Sequence, residues 1–377
     1  MKLVVIGLGQ CGCRVADEFA LLNRRAYDRV GHKIIPDIFA ISTNPLELRS
    51  LSNVKHDHLH RITLGSQVKV NDDTFCELGA QVAKRDSDKV LKAIRTTECD
   101  VGVDAFLLIA GTAGSTGSGA MPILAKCLKE YYFNKPVYGL AILPFDREVA
   151  ERKKAIYNTA LCLKSSYEAT DAIILVDNQR YLRNNASLQG NLLQINRTIV
   201  EPFFNLLCSG EEKKPKHVGS RVLHPGEIKE TLSGWTAIGY GKSPLRLIRP
   251  PFEITWDFRR KNNETLGGIQ AIYEALCDLS IGCSFDSARR ALFLVSAPAN
   301  EISVDLMKEF SNFLRTAAAN ASIICGDYPV EKGILDVVVV LTRLNEVDKI
   351  RQFYMESASY FRKVKKSHPD DIMVYSR

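Results

Sequence analysis

Gly111-Thr-Ala-Gly-Ser-Thr-Gly-Ser-Gly119 lies between an apolar run, Ala105 to Ala110, and an apolar-periodic segment that opens at about Gly117 and continues through Leu124 and Leu128. A strand that runs through a loop of small residues into a helix brings successive backbone N–H groups, small hydroxyls and a helix N-terminus to one point, which makes a cradle for an anion. Glycine and serine also make linkers. A linker joins domains, however, whereas this loop is clamped between two elements that should both be buried. It lacks the Lys-Ser/Thr ending of a Walker A motif, so an ordinary P-loop is excluded.

A second glycine loop, Gly7-Leu-Gly-Gln-Cys-Gly12, follows the strand that opens the chain, Leu3 to Ile6, and has the G-x-G-x-x-G spacing. Alone it would indicate an NAD-binding Rossmann oxidoreductase. That fold places an Asp or Glu at the end of the second strand for the ribose hydroxyls. Here the second strand ends Ile41-Ser42-Thr43-Asn44, without a carboxylate. Two cradles facing one cleft suit a nucleoside di- or triphosphate better, and the oxidoreductase stays as a third-ranked reading.

Around these loops, β-rich runs (Leu3–Ile6, Ile38–Ser42, Ala105–Ala110, Val137–Leu143, Ala172–Val176) alternate with helical stretches such as Arg14–Tyr27 and Lys153–Tyr167. The alternation predicts an α/β fold, a parallel sheet with helices on both faces and ligands at the carboxyl ends of the strands. Residues 190–208 predict a long helix with Leu193, Ile195, Ile199, Val200, Phe203, Phe204 and Leu207 toward the core. The polar stretch Ser209–Ser220, with Lys213, Lys214 and Lys216, reads as an exposed loop. Beyond it, strands at Thr236–Gly241, Ala291–Ala297, Ser322–Cys325 and Ile334–Thr342, with helices at Glu264–Ile281 and Val304–Ala319, predict a smaller α+β domain. From Asn345 the chain reads as an amphipathic helix ending in Arg362, Lys363, Lys365 and Lys366.

The chain of 377 residues, 46% hydrophobic and 25% charged, has room for two domains. It has no apolar run of membrane-spanning length and begins directly on a strand, so a cytoplasmic location is expected. Its ten cysteines lack metal-site spacing, and Cys127, Cys162 and Cys277 fall on apolar helix faces. Most therefore read as small buried hydrophobes in a reducing compartment. His56, His58 and His60 would share a face if they lay on a strand, but they lack a matching carboxylate pattern, and no metal site is assigned to protein side chains. The net charge of +7 is spread along the chain, and aromatics are not interleaved with the basic residues, so nucleic acid is not an expected partner.

GLGQCGC in the first loop, GTAGSTGSG after the Ala105 strand and Val176-Asp177-Asn178 before a short helix resemble, in that order, the tubulin/FtsZ superfamily of GTPases. Val137-Tyr-Gly-Leu-Ala-Ile-Leu-Pro144 and Gly326-Asp-Tyr-Pro329 are most similar to its archaeal CetZ branch. The resemblance, which runs from residue 1 to about 342, implies a GTPase domain over 1–189, a central helix and catalytic loop over 190–234 and an α+β domain over 235–344, and the amphipathic pattern adds a helical tail over 345–377. It implies GTP or GDP with Mg²⁺ as the bound cofactor. Gly9, Gln10, Cys11, Gly12 and Cys13 would line the α- and β-phosphates, and Gly111 with Ala113, Gly114, Ser115, Thr116 and Gly117 would cradle the phosphate chain. Asn44 would face the terminal phosphate and its magnesium, with Gly65–Thr74 as a further phosphate-facing loop. Glu151 would hold the ribose hydroxyls, with Asn158 nearby. Asn178 and Asn196 would read guanine, an amide being able to donate to O6 and accept from N1–H and N2–H. Leu192 stands where the family commonly stacks an aromatic on the base.

The family completes its active site between subunits, and the matching segment here runs from Val222 to Leu232. Glu227 takes the position whose carboxylate orients the attacking water. A second acid is common three residues earlier, where this chain has His224, which implies slowed or altered hydrolysis. The expected product is a filament of head-to-tail copies that turns over with GTP hydrolysis and serves cell shape more than division. The basic tail is a candidate membrane or adaptor contact. A tubulin-like regulatory or structural protein with weak assembly and weak hydrolysis is the alternative.

Overall fold

The computed structural model describes residues 1–30, 33–65, 74–97, 102–182, 188–209, 211, 218–245, 268–331 and 333–367. They fall into two compact units. The first comprises Lys2–Asp28, Lys33–Val200 and Val347–Arg377, and the second Met1, Arg29–His32 and Glu201–Glu346.

In the first unit six strands form an all-parallel sheet: β1 (Leu3–Leu8), β2 (Ile38–Ser42), β3 (Arg61–Thr63), β4 (Ala105–Gly111), β5 (Val137–Leu143) and β6 (Ala172–Asp177). The five long strands are buried almost end to end. Continuous apolar runs are what strands covered on both faces require, and these are the runs the sequence displays. The order is β3-β2-β1-β4-β5-β6. The chain reverses its direction of travel across the sheet between β1 and β4, where Gly7 stands beside Ile109 and Leu8 beside Ala110. That is the switch point at which such sheets open a crevice for ligands.

Both glycine loops are shorter than expected. Helix α1 (Gly9–Val30) starts directly after β1, not near Arg14, and the helix after β4 starts at Ser115, not Gly117. Gly, Ser and Thr are weak helix formers, so their helical first turns were hidden from a propensity reading. Short α2 (Pro45–Arg49) follows β2, and two helices unforeseen in the sequence, α3 (Cys76–Arg85) and α4 (Ser87–Thr96), lead to β4. Helix α5 (Ser115–Tyr131) packs against α3 and against α7 (Lys153–Ala169), which follows the short α6 (Asp146–Glu151).

His56, His58 and His60 do not lie on a strand. Residues 56–60 form bends and turns; His56 and His58 are exposed, and His60 is buried between Asp37 and Asp57, with ring nitrogens 2.8 Å and 2.7 Å from their carboxylates. Nine described cysteines are free thiols, and Cys277 is exposed, contrary to the buried reading.

The long helix α8 (Leu188–Ser209) matches the expected one, and the division between units falls within it, after Val200. Ile195, Ile199, Val200, Phe203, Phe204 and Leu207 are buried, whereas Leu193 is 60% exposed because it lies outside the apolar stripe. The second unit continues through α9 (Pro225–Thr231), β7 (Gly234–Pro244), a helix α10 over 268–277, β8 (Arg290–Ala297), α11 (Val304–Ala317), β9 (Ser322–Pro329) and β10 (Ile334–Thr342). Its sheet order is β7-β10-β8-β9, with β10 antiparallel to both neighbours and β8 parallel to β9. Strand β9 runs four residues past the expected end.

The final helix, α12 (Asp348–Ser367), belongs to the first unit and is not a free tail. Ile350 and Phe353 are each 5% exposed, α12 packs along α7, and the rings of Tyr157 and Phe361 stack at 6.1 Å. Among the described residues no helix is long and apolar enough to cross a membrane. Residues 66–73 of the expected Gly65–Thr74 loop, Lys213, Lys214 and Lys216 lie outside the described residues, as do the side chains of Lys363, Lys365 and Lys366.

Candidate functional site

A cleft opens at the switch point of the parallel sheet, walled by the starts of α1 and α5, the ends of β5 and β6, and α8. The N-termini of two long helices, 22 and 17 residues, converge there. Each leaves unpaired N–H groups and a partial positive charge at its first turn, so the floor of the cleft attracts an anion. The sharp exit from β1 depends on Gly9, whose φ of +65° disfavours any side chain. Gly12 permits close approach of α1 to β4: a Cβ there would stand 2.0 Å from the carbonyl oxygen of Ile109.

Of the residues singled out in the sequence, Gly9, Gln10, Cys11, Gly111, Ala113, Gly114, Ser115, Thr116, Gly117, Asn178 and Asn196 line this cleft, together with Leu192. Asn178 follows β6 and opens a short 3-10 turn. It is 7% exposed, and its Oδ1 has no hydrogen-bond partner among the described residues. A buried amide oxygen without a donor is costly, so this atom is suited to a ligand N–H. Burial, with Glu148 adding to it against Arg14, pushes the Cys11 thiol up to about 12. The thiol therefore stays neutral and puts no negative charge against an anion.

Five expected residues lie behind or beside the wall. Gly12 is packed on β4, and Cys13 is fully buried, its thiol 3.4 Å from the carbonyls of Gly7 and Ile41. Asn44 caps α2, its Oδ1 accepting from the Leu46 N–H at 3.0 Å. Glu151 faces solvent and pairs with Arg147 at 2.6 Å. Asn158, wholly buried, accepts from Cys76 N at 2.9 Å and donates to the carbonyls of Thr74 and Ala113, each at 3.0 Å. It braces the loop after β4 from behind.

Other cleft residues escaped the sequence reading: Arg14, Glu47, Phe145, Glu148 and Arg152. Glu148 accepts from the Phe145 N–H at 3.0 Å, and its other oxygen is 3.1 Å from the Arg152 guanidinium, so its carboxylate is held at the rim. Helical periodicity does not separate Glu148 from Glu151, because positions three and four apart share one side of a helix and Arg152 already has extended backbone at the end of α6. Glu47 accepts from Ser42 Oγ at 2.6 Å, and Thr43 shares a hydrogen bond of 2.8 Å with Thr116.

In the second unit, Glu227 lies in the first turn of α9 behind His224 and Pro225. One of its carboxylate oxygens accepts from the His224 N–H at 3.0 Å and the other from Arg221 Nη2 at 2.8 Å. His224 is exposed.

Residues 2–186 match the GTPase-domain model of the Tubulin/FtsZ family, and residues 185–359 match the C-terminal domain model of tubulin-like CetZ. The chain is 31% identical to the tubulin-like protein CetZ1 of Haloferax volcanii, over 93% of this chain and 90% of that one. The solved structure of Haloferax volcanii CetZ1 as a GDP-bound monomer superposes with a TM-score of 0.80 at 27% identity, covering 96% of this chain and 99% of that one. That of Haloferax volcanii CetZ2 as a GTPγS-bound protofilament gives 0.81 at 24% identity, over 97% and 100%, a likeness of fold.

Proposed function

The chain belongs to the tubulin/FtsZ family of GTPases, with a C-terminal half of the tubulin-like CetZ type, and from this we propose that it binds GTP in the cleft, assembles head to tail, and hydrolyses the nucleotide with Glu227 of the adjoining copy. In this reading the N–H groups at the starts of α1 and α5 take the phosphates, Asn178 and Asn196 the guanine edge, and Glu148 the ribose hydroxyls in place of Glu151. Arg152 offsets the charge that Glu148 would otherwise set beside a polyphosphate. Leu192 covers the base without aromatic stacking.

Among the described residues no group of three or more His, Cys, Asp or Glu could hold a metal. Thr43, Thr116 and Glu47 supply the oxygen donors that suit Mg²⁺ held chiefly by phosphates and water. When bound, the ion would neutralise charge on the phosphate chain. Glu227 orients water for in-line attack on the terminal phosphorus, and the backbone donors of α5 receive the charge that develops on the phosphoryl oxygens. His224, an imidazole where the family commonly has a carboxylate, gives a weaker substitute for a second acid. The CetZ character of the C-terminal half supports a task in cell shape.

The observation that carries the guanine assignment is the buried Asn178 Oδ1, without a partner among the described residues, in a cleft floored by two helix N-termini. Titration of nucleotide-stripped protein with labelled GDP, ADP and NAD tests it. Guanine binding at least a hundredfold tighter than adenine is expected, falling about tenfold or more in Asn178→Ala. Equal affinity for ADP, or preferential uptake of NAD, would contradict it.

A further inference from the structure

We propose that Arg221 is a further residue that each subunit contributes to its neighbour's nucleotide: it fixes the Glu227 carboxylate and carries a guanidinium to the terminal phosphate. The proposal rests on the cross-subunit site described above.

The backbone around Arg221 is pinned by three hydrogen bonds to Asp327. Asp327 on β9, 4% exposed, accepts from Ser220 N at 2.8 Å and Arg221 N at 2.5 Å, and its own N–H donates to the Arg221 carbonyl at 3.0 Å. The side chain, by contrast, is 58% exposed, and it reaches Glu227 with Nη2 at 2.8 Å. An ion pair so exposed adds little to stability. Its consequence is geometric. With His224 N on the other oxygen, the Glu227 carboxylate is held from two sides while its remaining lone pairs stay open to water.

The pairing also answers an electrostatic difficulty. A lone carboxylate brought against a triphosphate meets strong repulsion, which grows as water is excluded. A guanidinium 2.8 Å away cancels that charge, and among the described residues one of its five N–H groups is committed, to Glu227. The others are available to phosphate oxygens, which the planar fork suits. One exposed patch thus carries an acceptor for the attacking water and donors for the phosphoryl group, the two demands of phosphoanhydride hydrolysis. In the reaction the water proton leaves toward Glu227, the new O–P bond forms as the bond to the bridging oxygen breaks, and Arg221 takes no proton.

The test compares full-length parent, Arg221→Ala, Arg221→Gln, Arg221→Lys and Glu227→Ala for GTP turnover in the assembled state, GTP affinity of dilute protein, and sedimentation with a non-hydrolysable analogue. Arg221→Gln keeps a donor for Glu227 and removes the charge, so a purely structural role predicts near-normal turnover. The expected result is a loss of at least tenfold in kcat for both Ala and Gln, partial recovery in Lys, and unchanged GTP affinity, because Arg221 lies outside the cleft. Full turnover in Arg221→Gln would overturn the proposal. Lost turnover in Glu227→Ala with full turnover in all three Arg221 variants would remove Arg221 and leave the cross-subunit site standing, whereas no loss in any variant would overturn both.

Discussion

Lys349, in the first turn of α12, donates to both carboxylate oxygens of Asp177 at 3.0 and 2.9 Å, and so ties the C-terminal helix to the strand end from which Asn178 enters the cleft. Asp177 in turn accepts from Gln179 N at 3.1 Å, within the turn that presents Asn178. Lys349→Met would leave a carboxylate that is 9% exposed without its cation. A cost on the order of 2–3 kcal/mol is expected from stranding a nearly buried charge. Guanine nucleotide affinity should fall several-fold together with the melting temperature, measured by nucleotide titration and thermal unfolding; unchanged values for both would remove the helix from the site's support.

Glu148 and Glu151 make a direct contrast. Glu148 lines the cleft, whereas Glu151 faces solvent beside Arg147. Glu148→Ala should weaken nucleotide binding about ten- to a hundredfold, through loss of a charge-assisted hydrogen bond of roughly 1.5–3 kcal/mol. Glu151→Ala should change it less than twofold. Equilibrium binding to the two variants decides between them.

Asn158 makes three buried hydrogen bonds and lies outside the cleft wall. Asn158→Ala should cost roughly 2–4 kcal/mol of stability, since it strands one donor and two acceptors. Because the Ala113 loop loses its brace, GTP and GDP affinity should fall by the same factor. Thermal unfolding with parallel titrations of the two nucleotides measures both effects.

The His60 cluster gives a pH dependence. Burial works against the charged ring, but the hydrogen bonds the ring donates to Asp37 and Asp57 outweigh burial and raise the His60 pKa above its ordinary value; the Lys55 ammonium nearby opposes them. A raised folded-state value means stability that is fully present below about pH 6.5 and lost as pH rises through the folded value. Asp57 is the opposite case: burial raises its pKa, the hydrogen bond from His60 prevails and lowers it, and its contribution disappears in acid. Denaturant unfolding from pH 6 to 9 should show the parent losing more stability than His60→Asn. Parallel curves would refute the assignment.

The parallel sheet was legible because strands buried on both faces must be apolar throughout, as Leu3–Leu8 and Val137–Leu143 are. The phosphate loops were legible because small residues between strand and helix have few other uses. What sequence obscured was helical phase. The short, charge-rich α6 gives no apolar stripe by which to orient Glu148 against Glu151, and the buried stripes of α3 and α4 are short and rest partly on small residues, Gly79, Ala83 and Ala93, which signal little hydrophobicity. Leu193 was misplaced for the same reason, by one step around α8. The docking of α12 on α7 was hidden because an amphipathic stretch reveals an apolar face without naming what covers it.

The central claim is that the cleft of one copy and Glu227 of another make one active site. GTP turnover per chain, measured across a protein dilution series, tests it most directly. Turnover per chain should be near zero when dilute and rise steeply over the range where sedimentable filaments form; constant turnover per chain at every concentration would contradict the shared site.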